Sequence, residues 1–306
     1  MKMINLNGIN VDFALKSGIV LSPSDIEEQL DLRLLQGIKQ NKITGEQWFR
    51  KPDIWYSMTS YSNPYFTVHS ELQLIKQSYK EIVRFLSKKT LAFYGVGTGD
   101  TESEIVKILL DNEGYVEIVG IDAIKEFLER YCSCLINLLD SHKKQNIRYI
   151  GLNKLFESLK RSDIEPENSE YKQKAHICLG TTIGNFEPDQ IFSIFKKMSN
   201  LGDILILGFH LDGNLEKIKN RYENAYKFKE LISNFMPDPH LEKIKILTNE
   251  KERRIEAWYD NLMIFHSKKF NQKELNEIAR RFGFKQCFEC DDKNSCIMVF
   301  EYDTSS

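Results

Sequence analysis

The sequence predicts an α/β protein: a doubly wound, mostly parallel sheet closed by an antiparallel terminal strand, with a smaller α+β lobe attached. Three observations carry this. Short apolar runs alternate with helix-like segments between residues 91 and 209, the βαβ rhythm of a parallel sheet. The first run, Leu91-Ala-Phe-Tyr-Gly-Val-Gly-Thr-Gly99, ends in three alternating glycines, and the second, Ile118-Val-Gly-Ile-Asp122, ends in one aspartate. The chain then finishes on a helix and two strand-like runs, an ending that a dinucleotide-binding sheet does not need.

Residues 23–40 read as a helix opened by Ser22 or Ser24, with Ile26, Leu30, Leu34 and Leu35 as its apolar positions. Residues 48–66 are dense in aromatics: Trp48, Phe49, Trp55, Tyr56, Tyr61, Tyr65 and Phe66. Ser70 to Leu86 reads as one further helix. Strand 91–94 then leads to helix 101–111, strand 116–121 to helix 123–139, and a short strand at 147–150 to an irregular stretch. Strand 175–179 precedes helix 188–198, and strand 204–209 precedes one long helix from about Leu215. Strand-like runs follow at 243–248, 253–259 and 262–266, beyond the break at Pro237-Asp-Pro239. A helix at 270–282 and strands at 284–290 and 296–302 close the chain, the last two joined by the turn-rich Asp291-Asp-Lys-Asn-Ser295.

This order divides the chain. Residues 87–209 and 270–306 form the cofactor domain. Residues 210–269 form an inserted lobe, joined by the helical and aromatic segment 1–86, and together these enclose a substrate.

Composition narrows the function. At 306 residues the chain can bury one large core, and 42% hydrophobic and 28% charged residues are ordinary for a globular protein. A formal net charge of −2 supplies no field toward nucleic acid or membrane, so neither is an expected partner. No apolar run is long enough for a membrane-spanning helix, and the N-terminus has no signal-peptide pattern. The six cysteines fall mostly on apolar strand or helix patterns and read as buried thiols. Cys287-x-x-Cys290 with Cys296 sits in a strand-like run without an obvious fourth ligand, so no metal is expected, and a reducing cytoplasm fits.

The chemistry lies at the strand ends. Gly95, Gly97 and Gly99 can turn tightly and let backbone N–H groups approach a ligand, since no Cβ intervenes. An ordinary strand-to-helix turn needs the same residues. Asp122, at the tip of the neighbouring strand, can accept both hydroxyls of a ribose, and the combination points to a nucleoside cofactor. Asn185 would stand at the carboxyl end of the fourth strand, where it can also cap the helix opened by Pro188. His69, His176, His210 and His266 are scattered, and none is singled out for catalysis.

The terminal helix and strand pair are typical of class I, Rossmann-like methyltransferases that use S-adenosylmethionine. Leu179-Gly-Thr-Thr-Ile-Gly-Asn-Phe186 closely resembles the fourth-strand signature of the histidine-specific methyltransferase family. That family includes the histidine Nα-methylating enzyme of ergothioneine biosynthesis and fungal dimethylallyltryptophan N-methyltransferases. Tyr65-Phe-Thr-Val-His-Ser-Glu71 resembles its Tyr-Tyr-Pro-Thr-Arg-x-Glu segment, and Gly208-Phe-His-Leu-Asp-Gly-Asn214 falls where it has Gly-x-Asp-Leu-x-Lys-Asp. Arg221-Tyr-Glu-Asn224 resembles Ala-Tyr-Asp-Asp, and Arg254-Ile-Glu256 with Ser267-Lys-Lys-Phe270 matches the strands of the family's insert. The resemblance spans residues 48–302.

It implies S-adenosylmethionine as cofactor, an amino acid or small amine as substrate, and a place in secondary metabolism. The cofactor contacts would be Gly95, Gly97, Gly99, Asp122, Gly180, Asn153 at the adenine amino group, and Leu155 on the adenine face with Phe156. Asn185 would accept a hydrogen bond from the substrate α-amine and aim its lone pair at the methyl group. Tyr222 would hold the substrate carboxylate, with Tyr65 or Phe66 at the second carboxylate contact, and Thr182 and Ser267 are further polar candidates. Methyl transfer is an in-line displacement, so the protein must position donor and nucleophile and exclude water. An α-amine loses its proton more readily than a lysine side chain.

The departures concern the acceptor. The family's histidine enzymes hold the imidazole with a Glu two residues before the serine of Ser-x-Lys-Phe; here that residue is Phe265. The Met after Arg-Ile-Glu is Ala257, which widens an apolar space. The expected acceptor is therefore an amino acid or amine with an apolar or aromatic side chain, not histidine. Two alternatives stay open: an enzyme that uses the 3-amino-3-carboxypropyl arm of the cofactor and releases methylthioadenosine, and a binding protein that keeps the pocket without catalysis.

Overall fold

The computed structural model describes residues 4–6, 9–13, 23–43, 45–59, 68–141, 146–236 and 239–303. Two short strands, β1 (Ile4–Leu6) and β2 (Ile9–Phe13), precede helices α1 (Pro23–Lys39), α2 (Pro52–Thr59), α3 (Val68–Gln77) and α4 (Tyr79–Leu86). The alternating core follows: β3 (Thr90–Tyr94), α5 (Asp100–Glu113), β4 (Tyr115–Asp122), α6 (Lys125–Ser141), β5 (Asn146–Asn153), β6 (Lys174–Cys178), α7 (Pro188–Met198) and β7 (Ile204–His210). After helices α8 (Leu215–Glu223) and α9 (Tyr226–Ile232) come β8 (Ile244–Asn249), β9 (Arg254–Tyr259) and β10 (Leu262–Lys268). The chain closes with α10 (Gln272–Arg281), β11 (Phe284–Asp291) and β12 (Ser295–Tyr302).

The large sheet has the order β1-β2-β5-β4-β3-β6-β7-β12-β11. Pairings from β5 through β7 are parallel, and β12 enters antiparallel between β7 and β11. The seven strands from β5 to β11 are the expected doubly wound sheet with an antiparallel end, the class I methyltransferase arrangement. Every residue of β3, β6 and β7 is buried, as strands covered on both faces require. The chain order reverses at β3, whose neighbours are β4 and β6, and ligands bind at such a switch point, beyond the carboxyl ends of the strands.

Three expectations need correction. The N-terminal hairpin β1–β2 extends the sheet by pairing parallel to β5 at Asp12 and Phe13, where no strand was expected. The helix expected from Ser70 to Leu86 is two, separated at Ser78 (φ −106°, ψ 23°). The long helix from Leu215 also breaks: the Asn224 side-chain amide donates to the Asn220 carbonyl, and Ala225 is extended (ψ 91°). That local side-chain bond competes with continuing the helix.

Strands β8, β9 and β10 form a separate antiparallel sheet of three strands. The N-terminal region docks on it: the Ile43 N–H donates to the Met263 carbonyl (2.9 Å) and the Met263 N–H to Asn41 (3.0 Å). An apolar cluster, with Trp48, Tyr222, Phe228, Ile255 and Phe265 among its members, fills the space between this sheet, α8, α9 and the 3-10 turn at Gly45–Phe49. Among the described residues no helix is long and apolar enough to cross a membrane.

Candidate functional site

A cleft of about 250 Å³ opens where the carboxyl ends of β3, β4 and β6 face the small sheet. Its floor is glycine. Gly95 and Gly97 both line it, in the left-handed region (φ 72° and 51°) that other residues avoid. A Cβ on Gly95 would lie 3.3 Å from the Thr182 side chain, so its absence lets the loop after β6 come close. Gly99 has a different task. It does not line the cleft, and a Cβ there would lie 2.5 Å from the Tyr131 ring, so it is a packing glycine at the start of α5.

Asp122 ends β4 and lines the cleft while 8% exposed. Its Oδ1 accepts from the Ile124 N–H (2.9 Å) and its Oδ2 from the Gly97 N–H (3.3 Å), which fixes the carboxylate against the glycine turn. Burial pushes its pKa up to about 7, and these backbone donors oppose the rise. Leu155 lines the same end of the cleft with Phe156. Asn153 does not line it: its side-chain NH₂ donates to the backbone carbonyls of Asp122 (3.1 Å) and Ala123 (2.9 Å), tying β5 to β4. Its Oδ1 has no partner among the described residues.

At the opposite wall stand Gly180, Thr182 and Asn185, in and before the 3-10 turn Thr182–Asn185. Thr181 takes a positive φ of 61° to form this turn. Beneath it, the buried Glu71 carboxylate accepts from the N–H groups of Gly180 (2.7 Å) and Thr181 (3.2 Å). Gly45 makes room for Asn185, since a Cβ there would lie 3.3 Å from the Asn185 side chain.

The small sheet supplies the third wall. Phe265 and Ser267 of β10 and Tyr222 of α8 reach the cleft. Phe265 sits in an aromatic box, its ring centroid 4.6 Å from Trp48, 4.8 Å from Phe228 and 5.5 Å from Tyr222. Trp48 is fixed by donating its indole N–H to the Ile264 carbonyl (2.6 Å). Ala257 is fully buried opposite Phe265 on β9 and does not reach the cleft. Tyr65 and Phe66 lie outside the described residues.

Thus Gly95, Gly97, Asp122, Leu155, Gly180, Thr182, Asn185, Tyr222, Phe265 and Ser267 meet around one cleft, while Gly99, Asn153 and Ala257 stand behind its walls. Sequence reasoning assigned no role to Glu71, to Trp48, or to Trp55 and Phe127, which also line the cleft. The signal for the tryptophans was present in the aromatic density of residues 48–66, and Glu71 ends a quoted motif.

The donor set suits S-adenosylmethionine: a fixed carboxylate at the tip of β4 for the ribose, glycine turns open to backbone contact, and the apolar Leu155 and Phe156 for the base. Fold and cleft define a class I, Rossmann-like methyltransferase. The chain belongs to the histidine-specific, S-adenosylmethionine-dependent methyltransferase family, whose pattern it matches over residues 52–238, and S-adenosylmethionine is its cofactor.

No curated protein matches the chain. Among solved structures it is similar to a protein of Pyrococcus horikoshii OT3 (14% identity, 81% of this chain and 98% of that one, TM-score 0.48). It is also similar to an S-adenosylmethionine-dependent methyltransferase of Methanosarcina mazei (12% identity, 74% and 98%, TM-score 0.43). A third, a possible histamine N-methyltransferase of Thermotoga maritima, is 16% identical over 82% of this chain and 100% of that one, with a TM-score of 0.40.

Proposed function

We propose that this enzyme transfers the methyl group of S-adenosylmethionine to the α-amine of a free amino acid or small amine whose side chain is apolar or aromatic. The observation that carries the reading is Phe265: the position at which the family's histidine enzymes place an imidazole-binding Glu is a phenyl ring in an aromatic box beside the cleft. A ring edge there favours apolar or aromatic contact and offers an imidazole N–H no carboxylate.

In this reading Asp122 holds the ribose hydroxyls, Gly95, Gly97 and Gly180 lie against the methionine end, and Leu155 packs on the adenine. Asn185 accepts from the acceptor amine and directs its lone pair toward the donor. Tyr222, with Thr182 and Ser267, holds the acceptor carboxylate. Residues 210–269, with the stretch around residues 41–49 that docks on the small sheet, act as the acceptor lobe over the cofactor domain, while β1–β2 and helices α1, α3 and α4 join the cofactor domain instead.

The test is incubation of the purified protein with S-adenosylmethionine and a pool of amino acids, with products read by mass spectrometry. A methyl-increment series on an apolar or aromatic amino acid, with S-adenosylhomocysteine, is the expected result. A higher kcat/KM on histidine than on any such acceptor overturns the acceptor class. Methylthioadenosine without a methylated product overturns methyl transfer in favour of carboxypropyl-arm chemistry.

A further inference from the structure

A second cavity, of about 130 Å³, lies behind the cleft and shares Thr181 and Tyr222 with it as a common wall. The charged residues in its lining are all basic, Lys217 and Arg221 of α8 and Lys293 of the β11–β12 turn, and they stand with His210 at the end of β7 and the neutral polar Thr181, Asn214, Tyr222 and Asn294. The cavity also takes in Gly213 and Asn214 at the N-terminus of the nine-residue α8, where the helix dipole is positive.

No carboxylate lines it, and the acids nearest in sequence are engaged elsewhere. Asp212 pairs with Arg253 (3.0 Å), Glu216 bonds Lys219 (3.2 Å) and Thr248 (3.0 Å), and Asp292 accepts from Ser70 and from the N–H groups of Asn294 and Ser295. Lys217, Arg221 and Lys293 form no ion pair among the described residues.

Independent support comes from His210. It is 8% exposed, and its Nδ1 lies 3.1 Å from Nζ of Lys269, a fully buried lysine that also donates to Ser267 Oγ (2.9 Å). With Lys269 donating to Nδ1, the neutral ring carries its proton on Nε2. That Nε2 is buried and has no partner among the described residues. A buried donor without an acceptor is costly, and a ligand that accepts from it removes the cost. Burial and the positive charges of Lys269 and Arg221 hold the His210 pKa well below the ordinary histidine range, in keeping with a positive local potential.

We propose that this second cavity is an anion site that takes a carboxylate or phosphate group, bound by the His210 Nε2–H and by Arg221, Lys217 and Lys293. The group is either the acceptor's own carboxylate, shared with Tyr222 at the common wall, or a free anion. The site is defined by its own lining and does not depend on the acceptor reading, so it is tested without turnover.

The probe is inorganic phosphate, titrated calorimetrically at constant ionic strength into the full-length protein saturated with S-adenosylhomocysteine. Saturable binding of one phosphate is expected, weakened at least about tenfold in an Arg221→Gln/Lys217→Gln double variant, since a charged hydrogen bond contributes on the order of one decade in affinity. Both side chains are exposed, so the variant should fold, and Lys293→Gln provides an independent second variant with a loss in the same direction. Absence of saturable binding in the wild type, or equal binding in the variants, overturns the proposal. Displacement of the phosphate by a mixture of the common amino acids assigns the site to an acceptor group, and its retention assigns it to a free anion.

Discussion

The Glu71 carboxylate sits beneath the loop after β6 and accepts the Gly180 N–H at 2.7 Å, so a helix residue far away in sequence sets the path of the turn that carries Thr182 and Asn185. The same carboxylate takes the Thr181 N–H. Gly208 of β7 keeps the space for it open, since a Cβ there would lie 2.9 Å from the Glu71 carboxyl carbon. Glu71→Ala should cost roughly 1–3 kcal/mol by leaving two half-buried N–H groups without their acceptor. Gly208→Ala should cost a similar amount by displacing the carboxylate, about 1–3 kcal/mol for an overpacked core. Urea unfolding gives the stabilities, and both variants should lose kcat through a misplaced Asn185.

Stability should fall as pH rises through neutrality. Burial pushes the Glu71 pKa up to about 7 and the Glu102 pKa up to about 8, with the backbone donors opposing it at Glu71. Each folded-state value lies above the ordinary carboxylate value of 4.5, so the unfolded chain loses its proton first. The stability these groups contribute is complete below that value and is lost as pH climbs through 7 and 8. Urea melts across this window should show the slope, and Glu102→Gln should flatten its upper part. A stability that rises from pH 5 to pH 8 in the wild type and is unchanged by Glu102→Gln would contradict the assignment.

Cofactor affinity should rise with pH across the same region, with the opposite sign. In the proposed reading an ionised Asp122 would accept from both ribose hydroxyls, whereas the protonated form gives up part of that capacity. With its pKa near 7 in the free protein, binding draws the carboxyl toward the ionised form, so the Kd for S-adenosylhomocysteine should fall as pH rises through 7. Calorimetry reads this directly. Asp122→Asn should remove the dependence and weaken binding by about tenfold or more.

Asn185→Ala should lower kcat by about a hundredfold while leaving the Kd for S-adenosylhomocysteine within a factor of about two, the pattern of a lost orienting contact. Gly45→Ala should act on the same step from outside, because its Cβ would press on the Asn185 side chain at 3.3 Å. Single-turnover rates separate this from a binding defect.

Phe265→Ala should raise the acceptor KM more than it lowers kcat if, as proposed, the aromatic box is a binding wall for the acceptor rather than part of the reacting group. One side of the ring already borders the cleft, so the stability loss should stay below the roughly 3–5 kcal/mol of a fully enclosed Phe-to-Ala change. An unchanged acceptor KM would remove Phe265 from the acceptor site.

The central architecture was legible because its signals are local. The apolar runs at 91–94, 116–121 and 204–209 mark buried parallel strands, and the glycines after the first and the aspartate after the second mark strand ends at a ligand site. Helix breaks were not legible in the same way. Ser78 and Asn224 are tolerated inside helical patterns, and only the surrounding packing and the Asn224 side-chain bond end the helices there.

Sequence by itself determined the seven strands from β3 onward that make the expected sheet and, through the family resemblance, the cofactor class and a set of cleft residues, because periodicity and motif spacing are properties of consecutive residues. Tertiary structure alone decided which glycines line the cleft. Gly95 and Gly97 line the cleft while Gly99 packs on Tyr131, a distinction that spacing does not encode. It also decided that Asn153 braces β4, that Glu71 carries the β6 loop, and that Lys217, Arg221, Lys293 and His210 converge on one cavity. Each of these depends on contacts between residues distant in the chain, and such contacts exist only once the chain has packed.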